Sequence, residues 1–343
     1  MSDLTEPSTS APTTVGAEYG FVDRLRPEFP SQILADLTEV CNLGCIHCPH
    51  PDFKKSEHYG GRYLDPELNA KMVDEVRAHG QGITQYIRYA SNGEPLVHPK
   101  GYAMIEYAAR NSGVFVTLTT NGTTMNEKRT QRLLDSKVHM IDISIDAYSP
   151  EAYAKIRRGG DLNVTRSNVL NLISWIRESR GATKVVVSYV EQPENRHETA
   201  DFEKFWKDSG ADSVVIRRLH SCSGAKTDLA EVRRVSNQAL VRRPCLYPWE
   251  RIVLNARGDL AFCPSDWVHG SFVADYRDTS ILETWRSDFY QSLRAAHLRN
   301  QYAGHPFCGQ CPDWEATRWP FEGRSYANMV EELSVASDAG QGI

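Results

Sequence analysis

The chain holds no apolar stretch approaching the roughly 18 residues that a membrane-spanning helix needs, so no such helix is expected. It also lacks any block of basic residues, and its formal net charge is −5. A nucleic-acid partner therefore has no electrostatic footprint to find. The segment from Met1 to Gly20 has neither a basic start nor an apolar centre, which excludes a secretory signal. Its Ser, Thr, Pro and Ala content is that of a disordered or extended segment, assigned to residues 1–30. No internal repeat occurs beyond a strand–helix unit. What these absences leave is a cytoplasmic globular chain of 343 residues, 41 % hydrophobic and 24 % charged, long enough for one large domain or two ordinary ones.

Cysteine is the residue present in excess. The eight are Cys41, Cys45, Cys48, Cys222, Cys245, Cys263, Cys308 and Cys311. In a reducing compartment, clustered cysteines more often bind metal than form disulfides. Three fall early, four fall late, and Cys222 stands apart.

From residue 33 the pattern alternates between short β-branched runs and longer segments of helical period. Strands are expected at 33–40, 83–90, 114–120, 140–146, 184–190 and 213–219. Helices are expected at 66–80, 101–113, 126–137, 150–157, 164–180 and 196–209, with Gly80 and Gly113 as stops. Six such alternations imply a parallel sheet with right-handed crossovers, hence an α/β fold. The polar run that follows is read as a linker, 225–243. Beyond it, "RIVLNARGDLAFCP" has the form of a hairpin turning at Arg257-Gly258-Asp259, with Cys263 at its far end. The residues from Ser334 onward look weakly ordered. In parallel α/β folds, sites form on the loops after the strands. The early cysteines follow the first strand, "SNGEP" the second, "NGTT" the third, "SIDAYSP" closes the fourth, "EQPEN" follows the fifth and "HSCSG" the sixth. The unusual polar clusters thus share one rim.

Cys41-x3-Cys45-x2-Cys48 fits a structural zinc site poorly, because such sites are four-coordinate and commonly built from two paired elements. His47 lies between two ligand positions. Iron–sulfur clusters are held by thiolates at such short spacings. Three thiolates on a cubane leave one iron open for a small molecule. Zinc and cluster both stand at this point.

This cysteine pattern, with His47 before its last member, resembles the signature of the radical S-adenosylmethionine (SAM) enzymes. "SNGEP" resembles that family's Gly-Gly-Glu-Pro element, with Asn92 replacing the first glycine. "TTNGT" and "SIDAYSPEAYAKIRRGG" are similar to its third- and fourth-strand segments. The resemblance implies a partial (β/α)6 TIM-like barrel over 31–224 and a 4Fe–4S cluster on Cys41, Cys45 and Cys48. It implies SAM bound by His47, Asn92, Gly93, Glu94, Asn121, Ser144, Asp146 and Arg157. It also implies a low-potential electron donor such as flavodoxin or ferredoxin.

The late set ends in the Cys-x2-Cys pair of "FCGQCPDW", which a zinc ribbon would also explain. The surrounding segment resembles the twitch version of the auxiliary-cluster domain appended to many radical SAM enzymes. That implies a second 4Fe–4S cluster on Cys245, Cys263, Cys308 and Cys311, in a small domain over 244–333 followed by a tail, 334–343. The Trp residues of this part are read as packing, and Asp142, Glu191, Gln192, Asn195, Arg217 and His220 as either site or structural residues.

Cys222 is either a buried space-filler or a hydrogen donor facing the barrel cavity. The short-twitch group includes enzymes of antibiotic biosynthesis acting on sugars and aminocyclitols. The resemblance therefore implies a small carbohydrate or aminocyclitol substrate and an epimerase with Cys222 as donor. The alternatives are an alcohol dehydrogenase, in which the auxiliary cluster accepts an electron, a peptide-modifying maturase and a non-catalytic zinc protein. A maturase is disfavoured by the absence of an evident peptide-binding domain at the N-terminus.

Overall fold

A computed structural model describes residues 28–90, 92–238, 240–316 and 325–338. Residues 1–27 of the expected unstructured segment and 339–343 of the tail lie outside the described residues. Six strands follow one another as β1 (Gln32–Ala35), β2 (Tyr86–Tyr89), β3 (Phe115–Thr120), β4 (Met140–Ser144), β5 (Lys184–Glu191) and β6 (Ser213–Arg218). They pair in parallel in that order. A short helix α1 (His50–Phe53) follows β1, and the crossover helices are α2 (Pro66–His79), α3 (Gly101–Asn111), α4 (Glu127–Asp135), α5 (Pro150–Ile156), α6 (Leu162–Ser179) and α7 (Thr199–Asp208).

Local chemistry explains the helix starts. Asp65 accepts the Glu67 amide and Pro66 opens α2. Asn126, Ser149 and Asp161 cap α4, α5 and α6 in the same way. These side-chain acceptors satisfy amides that the first helical turn leaves without partners. On the outer face of the strands, Ile87, Tyr89, Leu118, Ile143 and Val187 are buried in the core under the helices. The inner face is polar in the middle and apolar below, as the strand period of two allows.

Three readings are corrected. The first strand is shorter than 33–40, because Leu37 and Glu39 pair with Leu64 and Arg62 instead of with β2. The polar run read as a linker forms a helix, α8 (Thr227–Asn237), anchored where Asn237 Nδ2 donates to the Pro312 carbonyl at 2.8 Å and Arg233 Nη2 to the Leu219 carbonyl at 2.7 Å. Residues 334–338, expected to be weakly ordered, lie in the final helix (Tyr326–Asp338).

The second part opens with α9 (Tyr247–Glu250) and forms the expected hairpin, β7 (Arg251–Leu254) with β8 (Asp259–Ala261), turning at Gly258 with φ +88°. β9 (Phe272–Asp275) adds to it. β7 also pairs in parallel with β1, from Gln32↔Arg251 to Ala35↔Leu254, so one nine-stranded sheet runs through both parts. An unpaired β1 would have left an exposed sheet edge. Helices α10 (Ile281–Arg286), α11 (Asp288–Arg299) and α12 (Pro306–Gln310) complete this part. Trp285, Trp267 and Trp314 are buried there, as packing requires; Trp319 lies outside the described residues.

The final helix, α13 (Tyr326–Asp338), fills the lower end of the barrel lumen. Met329, Val330 and Leu333 cluster with Tyr86 of β2, Met140 of β4 and Val186 of β5. Each such buried apolar side chain contributes roughly 1.5–3 kcal/mol, enough to hold a terminal helix in place.

Candidate active site

The loop after β1 carries the early cysteines. Its backbone is sewn to the end of α5, with the Gly44 amide on the Arg158 carbonyl at 2.9 Å and the Ile46 amide on Ile156 at 3.0 Å. His50 bonds the Glu39 carbonyl at 2.8 Å and closes the loop from the other side. Burial, above all other causes, pushes the Cys41 and Cys48 thiols up to about 12 and raises Cys45 as well. Three neighbouring thiols in such surroundings ionise only against a compensating cationic group, which is what metal loading supplies. Among the described residues, no three His, Cys, Asp or Glu side chains close on a single ion. A cubane makes a different demand, with each thiolate on its own iron, and the triplet fits it. His47 turns from the cysteines: Nε2 lies 3.5 Å from Asp146 and Nδ1 3.4 Å from Gln192.

The loop after β2 packs on this cysteine loop. A Cβ at Gly93 would lie 2.1 Å from the Thr38 carbonyl oxygen and 2.7 Å from that of Val40. Only glycine lets the two backbones approach so closely. The Glu94 amide donates to the Val40 carbonyl at 2.9 Å. Its buried carboxylate accepts from Thr120 Oγ1 at 2.7 Å, the Asn121 amide at 2.8 Å and the Leu96 amide at 3.1 Å. Glu94 thus ties the second loop to the third and is left with little free acceptor capacity. Asn121 continues to Asn42 at 2.9 Å. Asn92 reaches across to the Asp266 carbonyl at 3.0 Å, joining the barrel rim to the second part of the chain.

On the fourth loop, Asp146 is fully buried with φ +61°. Its Oδ1 accepts the Val190 amide at 2.7 Å, and its Oδ2 accepts Arg157 Nε at 2.8 Å and pairs with Nη2. Arg157 also sits against Cys45. Asp146 therefore positions Arg157 at the cysteine loop. Ser144 ends β4 on the lumen face, and its hydroxyl makes no hydrogen bond among the described residues. Asn195 holds this region from the fifth loop, donating to the Asp146 and Val190 carbonyls at 2.8 and 2.9 Å.

Sequence reasoning missed two structural partners of this rim. Asp36 is buried beneath the second loop, where the Asn92, Gly93 and Thr38 amides hydrogen-bond it, although burial raises it well above the usual carboxylate range. Its signal was an Asp inside the otherwise apolar "ILADL". Arg88 was the second. Its alternation with Tyr86 on β2 places it in the lumen, and it meets Asp142 there at 3.3 Å.

The late cysteines converge. One cavity of about 130 Å³ is lined by Cys245, Cys263, Cys308 and Cys311, with Ser223, His220 and Asp313 at its wall. An all-thiol donor set around one cavity fits an auxiliary iron–sulfur cluster. The turn Ser221-Cys222-Ser223-Gly224 borders it, with φ between +52° and +103° at its last three residues. Asp313 clasps that turn. It accepts the Ser221 amide at 3.1 Å, the Ser221 hydroxyl at 2.8 Å and the Ser223 amide at 2.8 Å. Ser223 Oγ lies 3.5 Å from Cys263 Sγ. Cys222 lies within electrostatic range of both Cys48 and Cys263, and burial pushes its thiol well up.

Residues 36–205 match the radical SAM superfamily, and residues 245–312 match an iron–sulfur cluster-binding domain, SPASM. A probable GTP 3′,8-cyclase of Methanococcus maripaludis is 29 % identical over 133 residues, covering 39 % of this chain and 42 % of the relative. The chain thus spans less than half the length of that curated relative. The mycofactocin maturase MftC of Mycobacterium ulcerans is 24 % identical over 68 % of this chain and 57 % of its own. Among solved structures, BtrN in complex with AdoMet and 2-DOIA shares the fold with a TM-score of 0.57 at 14 % identity, over 87 % of this chain and 97 % of that one. Streptococcus suis SuiB bound to precursor peptide SuiA gives 0.62 at 14 % identity, over 96 % and 81 %. The two matched families bring a 4Fe–4S cluster with SAM and auxiliary iron–sulfur binding. The chain carries a radical SAM domain, a partial barrel, followed by a SPASM/twitch iron–sulfur domain.

Proposed function

We propose that this enzyme inverts a carbon stereocentre in a small sugar-like or aminocyclitol substrate, with Cys222 as the hydrogen donor. The observation that carries this reading is the turn that holds Cys222: it borders the four-cysteine cavity, with the adjoining Ser223 Oγ 3.5 Å from Cys263 Sγ, and Cys222 lies within electrostatic range of Cys48. A space-filling cysteine has no need of a turn fixed by three hydrogen bonds to Asp313.

When bound, the first cluster and SAM supply a 5′-deoxyadenosyl radical that takes a hydrogen atom from a substrate carbon. Arg157, Ser144 and the second and third loops are assigned to hold SAM against Cys41, Cys45 and Cys48. Asp146 keeps Arg157 in place. The Cys222 S–H bond is weaker than most C–H bonds, so the thiol can return a hydrogen atom to the carbon radical. Delivery from the face opposite to abstraction inverts the centre. One electron and one proton then restore the thiyl to thiol; Cys245, Cys263, Cys308 and Cys311 would hold the auxiliary cluster, which would supply that electron. Each turnover consumes one SAM, two electrons and one proton, and yields methionine, 5′-deoxyadenosine and the epimer. The reductant is a low-potential one-electron carrier such as flavodoxin or ferredoxin.

The likeness to BtrN, solved with 2-DOIA, is compatible with a cyclitol-sized substrate. MftC and SuiB, a maturase and a protein bound to a precursor peptide, keep a peptide substrate as the rival reading. Turnover in deuterated water tests the proposal. One deuterium at an inverted carbon is expected, and Cys222→Ala should lose the epimer while still forming 5′-deoxyadenosine. A product lighter by two hydrogens, formed equally by Cys222→Ala, would identify a dehydrogenase instead.

A further inference from the structure

A second feature of the lumen bears on what the enzyme binds. Five inward-facing side chains form one polar layer across the strands: Arg88 of β2, Thr119 of β3, Asp142 of β4, Ser188 of β5 and Arg217 of β6. Asp142 Oδ2 pairs with Arg217 Nη2 at 2.7 Å and with Arg88 Nη2 at 3.3 Å. Its Oδ1 is taken by the Ser188 hydroxyl. Two guanidiniums thus share one carboxylate, and the layer carries one surplus positive charge. The aromatic ring of Tyr326 lies under Arg88, 3.9 Å away, and is neutral.

The layer is a floor. Below it, α13 seals the barrel with Tyr326, Met329, Val330 and Leu333. Above it, Ser144 follows Asp142 along the same face of β4, at a strand rise of roughly 3.3 Å per residue, and the loop carrying Asp146 begins just beyond. The asymmetry of exposure is informative. The Asp142 side chain is sealed at 0 %, whereas Arg88 and Arg217 remain 18 % and 30 % exposed. Neither Nη1 has a hydrogen-bond partner among the described residues; the bonds of Arg88 and Arg217 run through Nε and Nη2. A partly desolvated, unbalanced guanidinium is costly unless an anion completes it. The planar donor fork suits a carboxylate or phosphate.

We propose that the substrate carries an oxyanion, a carboxylate or a phosphate, and that Arg88 and Arg217 grip it at the floor of the barrel. Within the sugar-like class, this selects sugar acids or sugar phosphates over aminosugars. The inference rests on the reading above only in taking the lumen as the substrate chamber.

The test is calorimetric titration of the reconstituted, SAM-loaded enzyme with D-glucuronate, D-glucose 6-phosphate, D-glucose and D-glucosamine. At least one of the two anionic sugars should bind about tenfold or more tightly than glucose, and which one does so distinguishes carboxylate from phosphate. Arg217→Met should reduce that preference to within about twofold, and Arg217→Lys should restore part of it. Unchanged iron content keeps the comparison free of folding defects; Arg88→Met is the second variant if Arg217→Met loses its clusters. Equal binding of neutral and anionic sugars, tighter binding of glucosamine, no anion binding, or a preference that survives Arg217→Met overturns the proposal. Binding is read without turnover, so the result is independent of whether Cys222 donates hydrogen.

Discussion

The Asp313 carboxylate accepts the Ser221 hydroxyl at 2.8 Å, and through that bond and two amides it fixes the turn carrying Cys222. Asp313 follows Cys311 by two residues, so the auxiliary cysteine site and the assigned hydrogen donor share one support. Asp313→Asn loses part of this acceptor set at nearly constant shape. Hydrogen bonds to a charged group contribute roughly 1.5–3 kcal/mol. The variant is expected to keep forming 5′-deoxyadenosine while the epimer formed per 5′-deoxyadenosine falls about tenfold. An unchanged ratio, at unchanged iron content, would show that the clasp does not govern Cys222.

Gly93 faces a stricter constraint, because any Cβ there meets the Thr38 and Val40 carbonyls. Both belong to the segment leading into Cys41. Gly93→Ala is expected to force the two loops apart, at about 1–3 kcal/mol or more. Iron loading at the first cluster and SAM affinity should both drop, as iron analysis and equilibrium dialysis would record. Wild-type loading with wild-type SAM binding would contradict the packing argument.

Asp146→Asn tests the buried ion pair. It leaves the Arg157 guanidinium buried without its counter-charge, a change that typically costs about 3–5 kcal/mol. A lowered thermal midpoint is expected, together with weaker SAM binding because Arg157 is released. Asp146→Glu should recover little, since the longer side chain cannot keep both Arg157 and the Val190 amide in place.

Cys308→Ala separates the two metal sites. Iron should fall from about eight to about four atoms per chain, because Cys41, Cys45 and Cys48 sit on the loop after β1 and do not line the cavity of the late cysteines. Reductive SAM cleavage should persist, and epimer formation should stop after at most one turnover per chain, when the thiyl is not reset. Multiple turnovers by a chain retaining one cluster would remove the relay from the scheme.

Much of this site was legible in the sequence because parallel strand–helix units send every strand end to the same rim. Once six alternations were counted, the loops bearing Cys41, Gly93, Asn121, Asp146, Asn195 and Cys222 had to lie together. The iron–sulfur character of the two cysteine sets was legible too, since their spacings are local. What escaped was non-local. Nothing in "QILA" or "RIVL" announces that these strands pair, because β propensity does not encode a partner. The helix over Thr227–Asn237 has few apolar residues to mark it; its anchors, Pro312 and Leu219, lie elsewhere in the chain. Arg88 was readable by its parity with Tyr86, but its role depended on Asp142 and Arg217, two and four strands away.

The pairing of β1 with β7 has a dynamic consequence. Electron transfer between protein-held centres falls steeply with separation, so a relay whose holders drift apart conducts intermittently. Here the strand feeding Cys41 and the strand leading to Cys263 are hydrogen-bonded neighbours in one sheet. The two cofactor holders are bolted to a common backplane, and no domain closure is needed to bring them into register. The spacing of the two cysteine-bearing parts is thus set by backbone pairing between strands and not by a linker alone.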